Sequence, residues 1–337
     1  MIDVDNYFKD FKPQFNEKRF KELLIKPQTS IMTDKGNIYV GRRMFKSILV
    51  SCKMLWKEFD RNNIYYGGEG GGKSHTVFQH TYAWWWILNE LGMINYQFGM
   101  HLIYGRLKDL LASFDLYANI PFMIFTLDES DDLNRKNWNK PIVKETMSKL
   151  RKERKNFRIV NLLMPAIEEM LPAITLSRIA WIIEIDVDMD INFNIIRGKY
   201  SLMNIPLTSG YVSPMHKKYI SRREVKAYLS DRLYNNSDKY SLLPRKLLSF
   251  TDNTNSTFMF DKEEYKQWAR DLNAKREEED NELNEKDKIV MQQRDRGIIY
   301  MNKELGITQS IIGKVVGLST SAIGKIIQNH TTTATSN

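Results

Sequence analysis

The chain contains 337 residues, of which 42% are hydrophobic and 12% aromatic, enough for about two domains with a substantial core. Its formal net charge of +9, from 50 basic and 41 acidic side chains, favours an anionic partner, nucleic acid first. The single cysteine, Cys52, excludes an intrachain disulfide and a cysteine-based zinc site, as is usual in a reducing compartment. The first residues are polar and acidic, and no run of about 18 apolar residues occurs. We therefore expect a cytoplasmic protein without a membrane span.

Residues 1–40 are polar and aromatic without a clear period, and we interpret them as an N-terminal arm. From 41 to 215, short apolar runs alternate with stretches of helical spacing. This alternation predicts an α/β domain with a mainly parallel β-sheet. Strands are predicted at 63–66, 99–104, 122–127, 158–164 and 180–185, with a terminal hairpin of 193–196 and 199–205.

A glycine-rich segment connects the first of these strands to a predicted helix at 73–91. It reads Gly-Gly-Glu-Gly-Gly-Gly-Lys-Ser and fits the phosphate-binding pattern G-x-x-x-x-G-K-S, the P-loop. Glycines allow positive φ and a close approach of backbone N–H groups to a phosphate at the positive end of a helix. We expect Lys73 to reach the β- and γ-phosphates of ATP and Ser74 to bind Mg²⁺. A plain glycine-rich turn is the alternative. The residues predicted to bind the nucleotide are Gly67, Gly68, Glu69, Gly70, Gly71, Gly72, Lys73, Ser74 and His75.

The apolar run at 122–127 ends in Asp128 and Glu129, which is the Walker B pattern. In that interpretation Asp128 contacts Mg²⁺, and Glu129 orients and deprotonates the attacking water. The alternative is a buried strand followed by a solvated acidic loop, since Asp131 and Asp132 come next.

The alternation of strand and helix patterns ends at about residue 215. Residues 216–288 are predicted to form a helical, charged linker region. Within it, 235–257 is rich in serine, asparagine, aspartate and threonine and is interpreted as a loop. The stretch 262–288 is strongly charged and helical, which is typical of a solvated linker helix.

Residues 289–330 are predicted to form a helix-turn-helix DNA-binding domain, followed by a disordered tail at 331–337. Thr308 and Ser319 or Thr320 are expected to cap the two helices, and Gly317 to supply the left-handed turn. The alternative is a plain helical hairpin. The side chains expected to face inward from the first helix are Ile312, Val315 and Val316. The side chains expected to face the major groove are Ser319, Thr320, Ser321, Lys325 and Gln328.

The glycine-rich segment and the strand ending in Asp128 and Glu129 resemble those of P-loop ATPases of the additional-catalytic-glutamate division. Within that division, residues 60–205 are most similar to motor ATPases of the HerA/FtsK type, found in archaea, viruses and conjugative elements. The C-terminal segment resembles helix-turn-helix domains of regulators and recombinases. The resemblance implies Mg²⁺ and ATP, double-stranded DNA as partner, and a homo-oligomeric ring, hexameric or similar. It also implies a polar sensor at the end of the next strand, for which Asn161 is the nearest candidate.

Related ring ATPases often present an arginine to the ATP of a neighbouring subunit, where it stabilises the charge of the transition state. The resemblance implies this role for Arg154, in the basic run from Lys149 to Arg158, with Arg151 and Arg178 as further candidates. The alternative is a basic helix that faces solvent or DNA.

Two functions follow from these motifs. In the first, a DNA-associated ATPase couples Mg²⁺–ATP hydrolysis to DNA translocation, packaging or transfer, as in viral or mobile-element proteins. In the second, ATP switches DNA binding without motor activity, as in replication initiators or in partition or transposition regulators. A small-molecule kinase lacks support, because it leaves the helix-turn-helix pattern unexplained.

Overall fold

The computed structural model describes two compact units, Met1–Tyr265 and Lys266–Asn337. The residues that it describes are 7, 11–57, 59, 61–68, 70–128, 133, 135–152, 157–167, 179–186, 188–189, 195–196, 198–205, 210–212, 217–235 and 247–334.

The first unit has α/β architecture. Its elements in chain order are α1 (Glu17–Ile25), β1 (Ser30–Thr33), β2 (Gly36–Tyr39), α2 (Arg42–Trp56), β3 (Arg61–Tyr66), α3 (Lys73–Glu90), β4 (Ile103–Tyr104), α4 (Leu107–Leu116), β5 (Ile124–Leu127), α5 (Pro141–Lys152), β6 (Ile159–Met164), β7 (Ile179–Ile185), β8 (Asp188–Met189), β9 (Ile195–Ile196), β10 (Lys199–Asn204), β11 (Gly210–Val212), β12 (Tyr219–Ser221), α6 (Arg222–Asn235) and β13 (Phe250–Asn253). The elements that follow are α7 (Lys262–Lys303), α8 (Gln309–Val316) and α9 (Thr320–Ala334).

Seven strands form the central sheet, in the order β13-β10-β7-β3-β6-β5-β4. The five strands from β7 to β4 pair in parallel, and β10 pairs antiparallel with both β7 and β13. Every residue of β3, β5, β6 and β7 is buried, as expected for parallel strands covered on both faces. The predicted α/β class with a mainly parallel sheet is confirmed.

Helix α3 packs against β3, β5 and β6, and its apolar side chains form part of the core. Trp84 is fully buried with its ring centroid 5.4 Å from that of Trp181 in β7. The next tryptophan, Trp85, donates its ring N–H to the Tyr96 carbonyl oxygen at 2.7 Å. These contacts fix α3, whose first turn follows the glycine-rich loop, against the sheet.

A polar network lies buried at the same interface. Asn63, Asn161 and Thr126 are paired across β3, β6 and β5, and all three side chains are fully buried. The Asn63 side-chain amide donates to Asn161 Oδ1 at 2.9 Å, and Asn161 Nδ2 donates to Thr126 Oγ1 at 3.3 Å. Asn161 Nδ2 also lies 3.2 Å from Thr81 Oγ1 in α3. Three strands and one helix are thus joined by hydrogen bonds inside the core.

The sheet departs from the predicted strands at its antiparallel end. The predicted hairpin of 193–196 and 199–205 is wrong, because β10 pairs with β7 and β13, whereas β9 pairs with β8. β10 buries side chains on both of its faces, as expected for a strand inside the main sheet. The buried residues are Tyr200, Leu202 and Met203. β13 lies in the stretch predicted to be a loop, and the sheet therefore extends beyond residue 215.

The second unit has a small helical core. Ile298, Ile312 and Ile323, one from each of α7, α8 and α9, are fully buried. Gly317 ends α8 with φ +72°, as predicted. Gly313 is needed at a close crossing, since a Cβ there would lie 2.6 Å from the Leu318 carbonyl oxygen.

Two predictions about the side chains of α8 are wrong. Val315 is 72% exposed, because this short helix packs Ile312, fully buried, and Val316, partly buried, against the core. Thr308 occupies the N-cap position of α8, but its side chain makes no capping hydrogen bond. Ser319 does cap α9, since its hydroxyl accepts from the Ala322 N–H at 3.2 Å.

Candidate functional site

The glycine-rich loop connects the carboxyl end of β3 to the first turn of α3. Gly67, Gly70 and Gly72 have φ of +153°, +73° and +83°, which side-chain-bearing residues rarely adopt. A Cβ on Gly67 would also lie 2.4 Å from the carbonyl oxygen of Ile185, at the end of β7. Gly72 is the N-cap of α3 in the left-handed conformation, and the Thr76 N–H donates to its carbonyl oxygen. The loop conformation therefore depends on glycine at several positions.

Lys73, the first residue of α3, folds back over this loop. Its ammonium donates to the carbonyl oxygens of Gly67 at 2.8 Å and Gly68 at 3.1 Å. Gly71 N–H lies 3.4 Å from the same Gly68 oxygen. A positive charge is thus held at the loop that the sequence predicts to surround phosphates.

Ser74 and Asp128, 54 residues apart in the chain, lie in direct contact. The Ser74 hydroxyl, in the first turn of α3, donates to Asp128 Oδ1 at 2.9 Å. Asp128 follows β5, and its backbone N–H donates to the Tyr104 carbonyl oxygen at 2.7 Å. The two residues that the sequence predicts as Mg²⁺ ligands therefore lie together, beside the glycine-rich loop.

Tyr265 is a member of this cluster that sequence reasoning missed. Its hydroxyl donates to Asp128 Oδ2 at 2.9 Å, across 137 residues of sequence. Tyr265 lies in the first turns of α7, in the stretch interpreted as a solvated linker helix. The only signal in the sequence is local, because Tyr265 and Trp268 place two aromatic rings three residues apart in an otherwise charged segment.

The segment before α7 lies across the beginning of α3. Residues 254–261, which we call the strap, connect β13 to α7. The Gln79 side-chain amide of α3 donates to the Thr257 carbonyl oxygen at 2.6 Å and to Asn255 Oδ1 at 2.9 Å. Asn255 Nδ2 in turn donates to the Asn37 carbonyl oxygen in β2 at 2.6 Å. The strap is thereby tied to both α3 and the β1–β2 hairpin.

The strap also binds His75, one of the residues predicted to contact nucleotide. His75 Nε2 lies 2.6 Å from the Asn255 carbonyl oxygen, and the imidazole stacks on Phe258 with centroids 5.9 Å apart. Phe258 in turn makes edge-to-face contacts with Phe78 and Phe260. In this arrangement the His75 side chain is directed at the strap.

Several predicted residues lie outside the described residues. They are Glu69, Glu129, Arg154 and Arg178. Arg151 lies in α5, in a part of the helix whose side chains are not described.

The ends of the basic run are not exposed cations. Lys149 forms ion pairs with Asp115 at 2.6 Å and Glu145 at 3.5 Å. Arg158 is buried, with its guanidinium 5.0 Å from the ring centroid of Phe114 and one N–H donated to the Phe114 carbonyl oxygen. Burial lowers the pKa of Arg158 to about 10. The two ends of the run thus contact other parts of the chain, and the side chains of 151–156 between them are not described.

Asn161 does not lie where a sensor at the end of a strand would. It is the third residue of β6, fully buried, and bound to the side chains of the core network. The strand ends at Met164, which is followed by Pro165. The polar sensor that the resemblance implies is therefore not supplied by Asn161.

The predicted DNA-facing side chains lie at the start and along one side of α9. The sequence predicts that they contact DNA, and the structure leaves every one of them exposed: Ser319, Thr320, Ser321, Lys325 and Gln328. Lys314 of α8 is also exposed in the same unit.

No protein-family model matches this chain, and no curated protein matches it. Among the described residues, no single helix is long and apolar enough to cross a membrane. Only the bent pair Gln309–Val316 and Thr320–Gln328 meets that measure of length and composition, when its two helices are taken together.

Proposed function

We propose that the first unit binds Mg²⁺–ATP and hydrolyses it. The observation that carries this proposal is the 2.9 Å hydrogen bond from Ser74 to Asp128. A hydroxyl directly behind a glycine-rich loop and an aspartate after a buried strand are the protein ligands of Mg²⁺ in P-loop NTPases. Their contact across 54 residues of chain is expected if both serve one ion, and a plain glycine-rich turn gives no reason for it.

The chemistry of these residues fits the ion and the nucleotide. Hydroxyl and carboxylate oxygens are the hard donors that Mg²⁺ prefers. When bound, Mg²⁺ would neutralise negative charge that develops on the phosphate oxygens. Lys73 would exchange its bonds to the loop carbonyl oxygens for the phosphates, and the glycines would let backbone N–H groups approach them.

The strand order supports a P-loop ATPase of the additional-catalytic-glutamate division. β6, the strand that follows Glu129 in the chain, lies between β3 and β5. Its carboxyl end therefore lies between the loop and Asp128, where the resemblance expects a sensor strand. We infer the catalytic role of Glu129 from its sequence position directly after Asp128.

The second unit supports DNA binding by helix α9. Helices α8 and α9 cross at 109° and are joined by the turn 317–319, within the range of helix-turn-helix motifs. Of the predicted recognition residues, Ser319, Thr320 and Ser321 are exposed at the start of α9, the part of a recognition helix that contacts base edges. We propose that the chain couples ATP hydrolysis to translocation, packaging or transfer of double-stranded DNA, as a homo-oligomeric ring.

The proposal is tested by measuring the ATPase rate with and without double-stranded DNA. We expect DNA to raise the rate of ATP hydrolysis several-fold, because a DNA motor hydrolyses ATP fastest when DNA is bound. Mass measurement by light scattering with and without nucleotide should give a ring-sized oligomer in at least one state. Slow turnover that DNA leaves unchanged, together with ATP-dependent DNA binding, would reject the motor in favour of the ATP-switched alternative.

Deleting residues 289–337 should weaken DNA binding by about tenfold or more while the first unit stays folded and binds ATP. The deletion removes Ile298, Ile312 and Ile323, and hence the whole core of the helical unit. Affinity is measured across a salt series, with circular dichroism as a control for folding.

A matched substitution in the full chain separates a direct contact from a folding effect. The slope of the logarithm of the binding constant against the logarithm of the salt concentration counts phosphate contacts. Lys325→Ala should lower the magnitude of this slope by about one, as for one lost phosphate contact. Lys21→Ala in α1 should leave the slope unchanged. Equal affinity and equal slope in the truncated protein would place the DNA site outside the C-terminal unit.

A further inference from the structure

We propose that Tyr265 positions the Asp128 carboxylate for Mg²⁺, and that the strap holds Tyr265 in place for this task. The inference rests on the proposed function, since it assigns a new residue to the same site. It concerns a side chain that no sequence motif marks and that lies 137 residues from the aspartate it contacts.

The two oxygens of Asp128 are held from two different helices. Ser74 in α3 donates to Oδ1, and Tyr265 in α7 donates to Oδ2, both at 2.9 Å. The backbone of Asp128 is fixed by its bond to the Tyr104 carbonyl oxygen. A carboxylate held at both oxygens cannot rotate freely, so the direction of both oxygens is fixed. Such outer partners of metal ligands orient the ligand and set metal affinity.

Burial makes these partners necessary. Asp128 is only 5% exposed, and a buried carboxylate requires hydrogen-bond partners. Hydrogen bonds to a charged group are also stronger than neutral ones. Tyr265 therefore holds the buried Asp128 carboxylate in one orientation, which a divalent cation requires of its ligand.

Tyr265 is itself positioned by aromatic packing. Its ring makes edge-to-face contacts with Phe78 of α3 at 5.6 Å and with Phe258 of the strap at 5.3 Å. The first turn of α7 is capped by Asp261, whose Oδ1 accepts from the N–H groups of Glu263 and Glu264 at 2.9 and 3.0 Å. The start of the helix and the ring that it carries are thus both fixed relative to α3.

The strap supplies the remaining constraint. Gln79 and Asn255 bind it to α3 and, through Asn37, to the β1–β2 hairpin. A structural role alone predicts a loss of stability when the Tyr265 hydroxyl is removed. A positioning role predicts in addition a loss of metal affinity, and these two effects are separable.

The test compares Mn²⁺ binding to the full chain and to Tyr265→Phe by electron paramagnetic resonance, in the presence of a slowly hydrolysed ATP analogue. Mn²⁺ stands in for Mg²⁺ and is counted directly, without reference to turnover. We expect Tyr265→Phe to weaken Mn²⁺ binding about tenfold, as for the loss of an outer partner of a metal ligand. Tyr82→Phe is the matched control, because Tyr82 contacts the same aromatic cluster through Phe98 and has no described bond to Asp128. It should bind Mn²⁺ like the unmodified chain.

Unchanged Mn²⁺ affinity in Tyr265→Phe, with the analogue still bound, overturns the positioning role and leaves the proposed ATPase intact. Failure of the unmodified chain to bind the analogue at all overturns both. If thermal melting shows that Tyr265→Phe does not fold, Phe258→Leu replaces it, because that change keeps the hydroxyl and loosens the ring. A several-fold weaker Mn²⁺ affinity in Phe258→Leu supports the inference, and an unchanged affinity overturns it.

Discussion

Lys73→Ala is expected to lower ATP hydrolysis at least about 100-fold, the usual scale for losing one positioned electrostatic donor. Lys73 is the only cation between residues 67 and 74, so the phosphates would lose the charge that the loop offers them. Phosphate release in the steady state measures the rate, and calorimetry measures ATP binding. Both should fall, because in the proposed function the ammonium would interact with the phosphates before and during the reaction.

Two controls make the Lys73 result interpretable. The ammonium also bonds the Gly67 and Gly68 carbonyl oxygens, so thermal melting must show that the variant remains folded. Lys21→Ala removes an exposed lysine of α1 and should leave hydrolysis unchanged. Hydrolysis at the original rate in folded Lys73→Ala would remove the P-loop interpretation.

Glu129→Gln is expected to slow turnover about 100-fold or more while ATP stays bound. The amide has nearly the shape of the carboxylate but cannot accept a proton from the attacking water. Asp128, and with it the Ser74 contact, is untouched by this change. Single-turnover hydrolysis and retention of labelled ATP on the protein measure the two effects separately.

Asp132→Asn is the matched control for Glu129→Gln, since it removes a carboxylate three residues further along the same acidic segment. Its turnover should stay within a few-fold of the unmodified chain. If both variants lose activity equally, the acidic segment acts as a whole and Glu129 is not the general base. If neither loses activity, the interpretation of 122–129 as Walker B is wrong.

The part of the site that could be predicted lies in local patterns. The glycine spacing determines where backbone can adopt positive φ, and an apolar run ending in an acid indicates the carboxyl end of a buried strand. Parallel strands bring their carboxyl ends to one edge of the sheet. That Ser74 and Asp128 lie at the same edge of the sheet was therefore predictable without knowing the order of the strands.

The rest depends on pairings that local patterns do not encode. β13 is short, and its pairing with β10 across about 50 residues reflects burial in the whole sheet. Tyr265 reaches Asp128 because the strap crosses α3, and that path is fixed by side chains such as Gln79 and Asn255. Amide side chains of this kind occur throughout the chain and carry no signal of their own.

The buried side-chain amides of Asn63 and Asn161 fix the register of the central strands. Asn63 lies four residues before Gly67, and Thr126 lies two residues before Asp128, so the bonds of both to Asn161 set the relative heights of the loop and the acid. A shift of β5 by one residue would move Asp128 by about 3.3 Å and leave an amide facing apolar side chains. Misaligned chains would thus be penalised during folding before any ligand arrives. The relative position of the loop and Asp128 therefore depends on the hydrogen bonds of Asn161 to Asn63 and Thr126 in the middle of the sheet.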